Sequence, residues 1–188
     1  SYTEAARLAP AGVNVFDPAQ YSDPAPPGEI KPRFIGSFEV DLYQYPPAFL
    51  ALPRPAVAAG LDFLTIRRLW FAVQSVVLFV AVAFLARWIG GPSGLLALLL
   101  APVLWLAVTT RLGLQIGNFQ LTAFAMAVLA MIAFDRGHAA RGGLALGFPA
   151  VSKVYPGVLG VLLLVDRRWS AVAWTLAWSL ALTAAAWF

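Results

Sequence analysis

Apolar residues gather in five long runs over the last two thirds of the chain, at 69–86, 93–110, 119–134, 142–165 and 169–188. At 1.5 Å of rise per residue each is long enough, or nearly so, to cross a hydrocarbon core of ~30 Å as a helix. A core helix of a soluble protein imitates one such run, but not five in succession. The pattern therefore predicts an all-α, polytopic bundle of transmembrane helices over 69–188. Residues 1–55 are different: they hold ten of the fourteen prolines and no apolar run of spanning length. Tyr2–Leu8 reads as a short helix, and 14–18 and 23–28 carry turn chemistry. Val57, Leu61 and Leu64 recur at helical spacing beside Asp62 and Arg67, which predicts an amphipathic helix lying in the interface. Residues 1–68 are thus expected to form a long extracytoplasmic loop, and the aromatics Phe34, Phe38, Tyr43, Tyr45 and Phe49 argue against a plain linker. The start at Ser1 and the end at Phe188 within an apolar run give the expectation of a fragment lacking both ends.

Composition sharpens this picture. The chain is 61% hydrophobic and 12% charged, against ~45–50% and ~25% for soluble domains. Residues 1–68 carry six Lys/Arg against seven Asp/Glu, whereas the remainder has seven against only Asp135 and Asp166. The cationic excess belongs to the membrane region, which suits lipid phosphate and not nucleic acid; no basic-aromatic run points to the latter. With no cysteine, disulfides and thiolate metal sites are excluded and the compartment stays open. Loop arginines divide five against three whether 142–165 crosses once or turns back, so the positive-inside rule does not choose by number. Gly142, Gly143, Gly147, Pro149, Pro156, Gly157 and Gly160 favour the second reading, a re-entrant pair of half-helices meeting near Lys153.

Lys153 is the residue on which candidate chemistry centres. An ammonium group at bilayer depth costs ~2.5–3.5 kcal/mol on insertion scales and so faces a partner or a wet cavity. Pro156 adds carbonyls without amide partners, which lipid does not tolerate uncovered. Together they predict a polar pocket holding an anion. On the re-entrant topology Thr109, Thr110, Arg111, Gln115, Asn118, Gln120 and Tyr155 share its face. Arg111 offers a planar guanidinium suited to phosphate, and the amides offer donors and acceptors. Glu39 and Asp41 precede Tyr43 and Tyr45, tyrosines able to line a sugar site, and stand as candidates for a general base. His138 lies in a short basic loop and reads as solvated. No His/Asp/Glu cluster has metal-ligand spacing and no Gly-rich nucleotide loop follows a strand, so neither a metal nor a cofactor is expected. The tryptophans, Trp70 and Trp88 first, read as interfacial lipid anchors.

Several short motifs carry a resemblance: Tyr2, Glu4 and Arg7 with Asn14, Asp17 and Pro18; Tyr45-Pro46-Pro47; Gly117 to Gln120; and Ala150 to Pro156 followed by Asp166-Arg167-Arg168-Trp169. In their order and spacing the chain resembles glycosyltransferase family 87, the polyprenol-phosphate-sugar-dependent, mannosyltransferase-like membrane enzymes of GT-C fold. The resemblance implies transfer of a sugar, mannose, from polyprenyl phosphate to a lipid-linked or glycan acceptor on the outer face of the plasma membrane. An inverting transfer needs a carboxylate to take the acceptor proton and cations to stabilise the departing phosphate. Lys153 and Arg111 are the choices for the phosphate. The family's catalytic aspartate precedes the segment matching Tyr2–Arg7 and so is expected upstream of Ser1. The family also reads Gly-Gln-x-Asn where this chain has Gly117-Asn118-Phe119-Gln120, exchanging the two amides. The alternative is a non-enzymatic transporter or lipid-binding fragment, since broken helices with a buried cation serve transporters as well. A purely structural bundle leaves Lys153 unexplained.

Overall fold

The computed structural model describes residues 2–24 and 31–185. The turn expected over 23–28 and the end of the run 169–188 lie in part outside the described residues. The chain divides into two compact units between Ile66 and Arg67.

The first unit opens with α1 (Tyr2–Leu8) and holds two short antiparallel pairs, β1 (Ser22–Asp23) with β2 (Lys31–Pro32) and β3 (Phe34–Ile35) with β4 (Phe38–Glu39). Its core is aromatic. Tyr45 stacks on Phe49 with centroids 4.6 Å apart, Tyr2 meets Tyr45 edge-on at 5.1 Å, and Phe16 tilts against Tyr43 at 5.7 Å. Each such pair adds ~0.5–1.5 kcal/mol beyond its buried area. Two of the buried phenols are satisfied locally: Tyr43 donates to Pro46 O at 2.8 Å and Tyr21 to Val15 O at 2.6 Å. Tyr45-Pro46-Pro47 thus leads a core ring into the 3-10 turn Pro47–Ala51.

Helix α2 (Arg54–Ala58) is a single turn and a half, and Gly60 follows with φ 72°. Asp62 then starts α3 (Phe63–Ile89): its carboxylate accepts from Leu64 N and Thr65 N at 3.0 Å and from Thr65 Oγ1 at 2.6 Å. An acidic side chain taking orphan amides at the first turn is a strong start signal. Val57 and Leu64 therefore sit on separate helices, and the expected continuous amphipathic helix is interrupted at Gly60–Asp62.

Of the five apolar runs, only α3 alone is long and apolar enough to cross a membrane among the described residues. Only 22% of its most apolar 18-residue stretch is buried, leaving Phe71, Val76 and Phe79 exposed. The run 93–110 is a correction to the sequence reading. It forms α4 (Gly91–Leu99), α5 (Ala101–Leu106) and α6 (Val108–Ile116), bent by 63° where Ala107 turns extended (ψ 131°). No straight helix crosses there.

Helix α7 (Gln120–Asp135), α8 (Ala139–Lys153), α9 (Leu159–Val165) and α10 (Trp169–Ala185) complete the second unit. Helix α8 packs against both α7 and α10, and Ala127, Ala130, Phe134, Leu146, Leu163 and Ala171 form the core they share. The glycines of α8 do not break it; they let neighbours close in. A Cβ at Gly143 would lie 2.7 Å from the Trp174 backbone carbon, and one at Gly147 3.2 Å from Thr175 O. Small residues at such crossings allow backbones to approach. The break falls later, at Val154, which adopts φ 62°, ψ −55°. Positive φ is rare for a β-branched residue and costs ~1–3 kcal/mol. Tyr155–Val158 then forms a 3-10 turn before α9.

Candidate functional site

The polar turn between α6 and α7 is built by two capping devices in adjacent residues. Gly117 takes the left-handed conformation (φ 77°) and Asn118 N donates to Gly113 O at 3.0 Å, closing α6. The Asn118 side chain accepts from Gln120 N at 3.0 Å and so opens α7. Phe119 is buried between them, stacked on Trp70 at 6.2 Å and meeting Phe148 edge-on at 5.6 Å.

One face of α3 braces this turn. Arg67 donates to Gln115 O, and Trp70 Nε1 donates to Gly117 O at 2.8 Å. Gln74 is fully buried. Its amide, oriented to satisfy both ends, donates to Asn118 O at 2.8 Å and Thr122 Oγ1 at 3.2 Å, and its oxygen, 2.9 Å from Trp70 Nε1, shares that single N–H with Gly117 O. Arg67, Trp70 and Gln74 are three and four residues apart, the spacing of one helical face. Trp70 is thus a brace and not a simple lipid anchor. Trp88, which donates to Asp135 Oδ2 at 2.8 Å, and Trp178, which donates to Ala140 O at 3.1 Å, are likewise tied to protein.

The α8 break reaches the same turn through Tyr155, whose hydroxyl donates to Gln120 O at 3.3 Å. Tyr155, Gln120 and Asn118 are therefore neighbours around one turn. The amides, however, work through structure: Asn118 spends its side-chain oxygen on a cap, and Gln115 and Gln120 contribute carbonyls while their side chains stay exposed. Lys153 is half-buried on the last turn of α8, where a cation also suits the negative end of the helix. Its neighbour Ser152 is buried, with a hydroxyl that meets no partner among the described residues. Arg111 is exposed on α6 and Thr110 beside it is buried. Sequence reasoning missed Gln74, the best-satisfied polar group here; the signal was available as an amide inside an otherwise apolar run.

In the first unit Tyr43 and Tyr45 are core residues, not liners of an open sugar site. Burial, then the neighbouring Tyr21 and Tyr45, pushes the Tyr43 phenol well above its usual value of 10.0, and burial followed by Glu4 raises Tyr21. Both hydroxyls stay protonated donors. Glu39 and Asp41 are exposed. The buried carboxylate is Glu4, which accepts from Arg7 at 3.1 Å and Arg33 at 2.6 Å. Among the described residues no three acidic, His or Cys side chains are placed to hold a metal.

An exposed apolar helix, broken apolar segments and a cation beside the second break together define a helical membrane protein with a polar turn at its helix interruptions. The family model of Glycosyltransferase family 87 matches residues 43–188, and the chain belongs to that family, as a membrane glycosyltransferase. No curated protein and no solved structure matches it. The match includes Tyr45-Pro46-Pro47, the 117–120 turn and the Lys153 break; the motifs before residue 43 lie outside it.

Proposed function

We propose that this glycosyltransferase works as a multi-pass enzyme of the plasma membrane, moving mannose from polyprenyl phosphate to a lipid-linked or glycan acceptor on the extracytoplasmic face. The observation that carries this reading is the cation at the helix break: Lys153 immediately precedes the strained Val154, and Tyr155 ties that break to the α6–α7 turn. In the transfer the acceptor oxygen attacks the sugar's anomeric carbon while a carboxylate takes its proton. The bond from that carbon to the phosphate oxygen breaks, and polyprenyl phosphate leaves with the electron pair. Lys153 and Arg111 neutralise the charge that grows on the phosphate, a form of stabilisation worth most where water is scarce. Tyr155 is assigned a positioning role at the break. Glu39 and Asp41, exposed at and just after β4, remain the loop acids proposed to face the acceptor, whereas Glu4 is committed to two arginines. Membership of a glycosyltransferase family sets the transporter alternative aside.

The test is transfer from radiolabelled polyprenyl-phosphate sugars by the full-length protein. Lys153→Ala and Arg111→Ala are each expected to lower the rate by about 100-fold, the scale of losing one charge-stabilising donor, with membrane expression unchanged. Rates within about twofold of wild type for both variants would overturn the phosphate assignment.

A further inference from the structure

A cleft of about 320 Å³ opens inside the first unit, lined by Ala6, Arg7 and Pro10 on one side and Arg54, Val57 and Ala58 on the other. Its two sides are α1 with the turn that follows it and α2, which pack on each other. Arg54, Val57 and Ala58 are at i, i+3 and i+4, so they share one helical face.

Two features of the lining point to a ligand. The Arg54 Nε is buried and has no hydrogen-bond partner among the described residues, although a buried donor loses its hydration without return unless something accepts from it. Arg54 also stands between Pro53 and Pro55, whose rings fix the backbone on either side. Arg7, across the cleft, gives one N–H to Glu4 and keeps 46% of its side chain exposed. With Arg33 also on Glu4, two guanidinium groups share a single carboxylate, and Arg54 adds a further positive charge to the lining. The rest of the lining, Ala6, Pro10, Val57 and Ala58, offers no polar side chain. An oxyanion matches the paired donors of a guanidinium; an apolar stem matches the walls. The volume suits a headgroup and its first carbons, near the low end of small-molecule sites at ~300 Å³.

We propose that the cleft between α1 and α2 is a separate anion site, in which Arg54 and Arg7 take the phosphate of an amphiphilic lipid while Val57, Ala58 and Pro10 cover the start of its hydrocarbon chain. The site uses none of the residues assigned to the donor phosphate, so it stands or falls without them.

The experiment uses the full-length protein in phosphatidylcholine nanodiscs, carrying Arg111→Gln and Lys153→Gln so that the other assigned cations are silent. Undecaprenyl phosphate is the probe, undecaprenol and inorganic phosphate are the comparison arms, and native mass spectrometry reads bound lipid. The phosphate lipid is expected to bind this background, and Arg54→Gln or Arg54→Lys is expected to weaken it by about tenfold, as loss of a charge-assisted pair does. Should the Arg54 variants unfold, as thermal unfolding would reveal, Arg7→Gln carries the same expectation from a more exposed position. Displacement by inorganic phosphate at equal concentration would make the free anion the ligand of this site, and failure to displace would make it the lipid. Equal binding of undecaprenol, binding already absent in the background, or unchanged binding in a folded Arg54→Gln or Arg7→Gln protein would overturn the proposal.

Discussion

Gln74 holds the candidate site together more than any residue singled out by its charge. Its amide bridges α3 to Asn118 and Thr122, 44 and 48 positions further along the chain. Replacing it with leucine keeps the volume but leaves the Asn118 carbonyl short of a donor in a buried place, a loss of about 1–3 kcal/mol. Gln74→Leu is therefore expected to unfold earlier by that amount in a chemical or thermal melt, and unchanged stability would count against the bridge. Lys153 was legible because an ammonium in an apolar run is conspicuous; the same test applied to an uncharged amide would have found Gln74. Its partners were not legible, since no periodicity links positions so far apart. The tyrosines misled for a related reason. An aromatic in a proline-rich loop reads as a surface group, yet Tyr43 and Tyr45 are what that loop folds around.

At the scale of elements, helix existence was far easier to read than helix continuity. Gly142, Gly143 and Gly147 look like breakers, and α8 runs straight through them because α7 and α10 press on that side. Gly160, in contrast, has nothing within 4 Å of where a Cβ would be. Gly143→Ala is expected to destabilise by about 1–3 kcal/mol through overpacking, while Gly160→Ala gains up to about 1 kcal/mol from helix propensity. Equal melting of the two variants would show that α8 and α10 do not approach as described. The true breaks carry little local signal. Pro156 disfavours helix before it and so hints at Val154, but Ala107 has neither glycine nor proline beside it, and nothing in the neighbouring sequence announces the 63° bend there.

The molecule as a whole keeps its two spectroscopic probes apart. All seven tryptophans follow Arg67, and four of the five tyrosines precede it. Tyrosine ionisation thus reports the first unit and tryptophan emission the second. Because Tyr43 and Tyr21 have folded-state values raised above 10.0, the unfolded chain releases those protons first, so their stabilising contribution is complete below pH 10 and fades above it. Raising the pH past 10 is expected to bring late, cooperative tyrosine absorbance changes before tryptophan emission shifts. Simultaneous change in both signals would mean that the phenols are not what limits the first unit. The contrast of a proline-rich, near-neutral third with a basic apolar remainder was plain in the sequence; the number of helices that span by themselves was not, because bends at Ala107 and Val154 shorten what hydropathy counts as continuous.

The brace of Arg67, Trp70 and Gln74 has a consequence for the lipid in which the enzyme works. These residues lie at one end of α3, whose uninterrupted apolar stretch from 69 to 86 spans ~27 Å, close to the thickness of a bilayer interior. A helix matched so narrowly answers longer acyl chains by changing its tilt or drawing its ends inward, and the turn bolted to it moves along. Acyl-chain length is then expected to shift the α6–α7 turn, a control that acts with no change to a single amino acid.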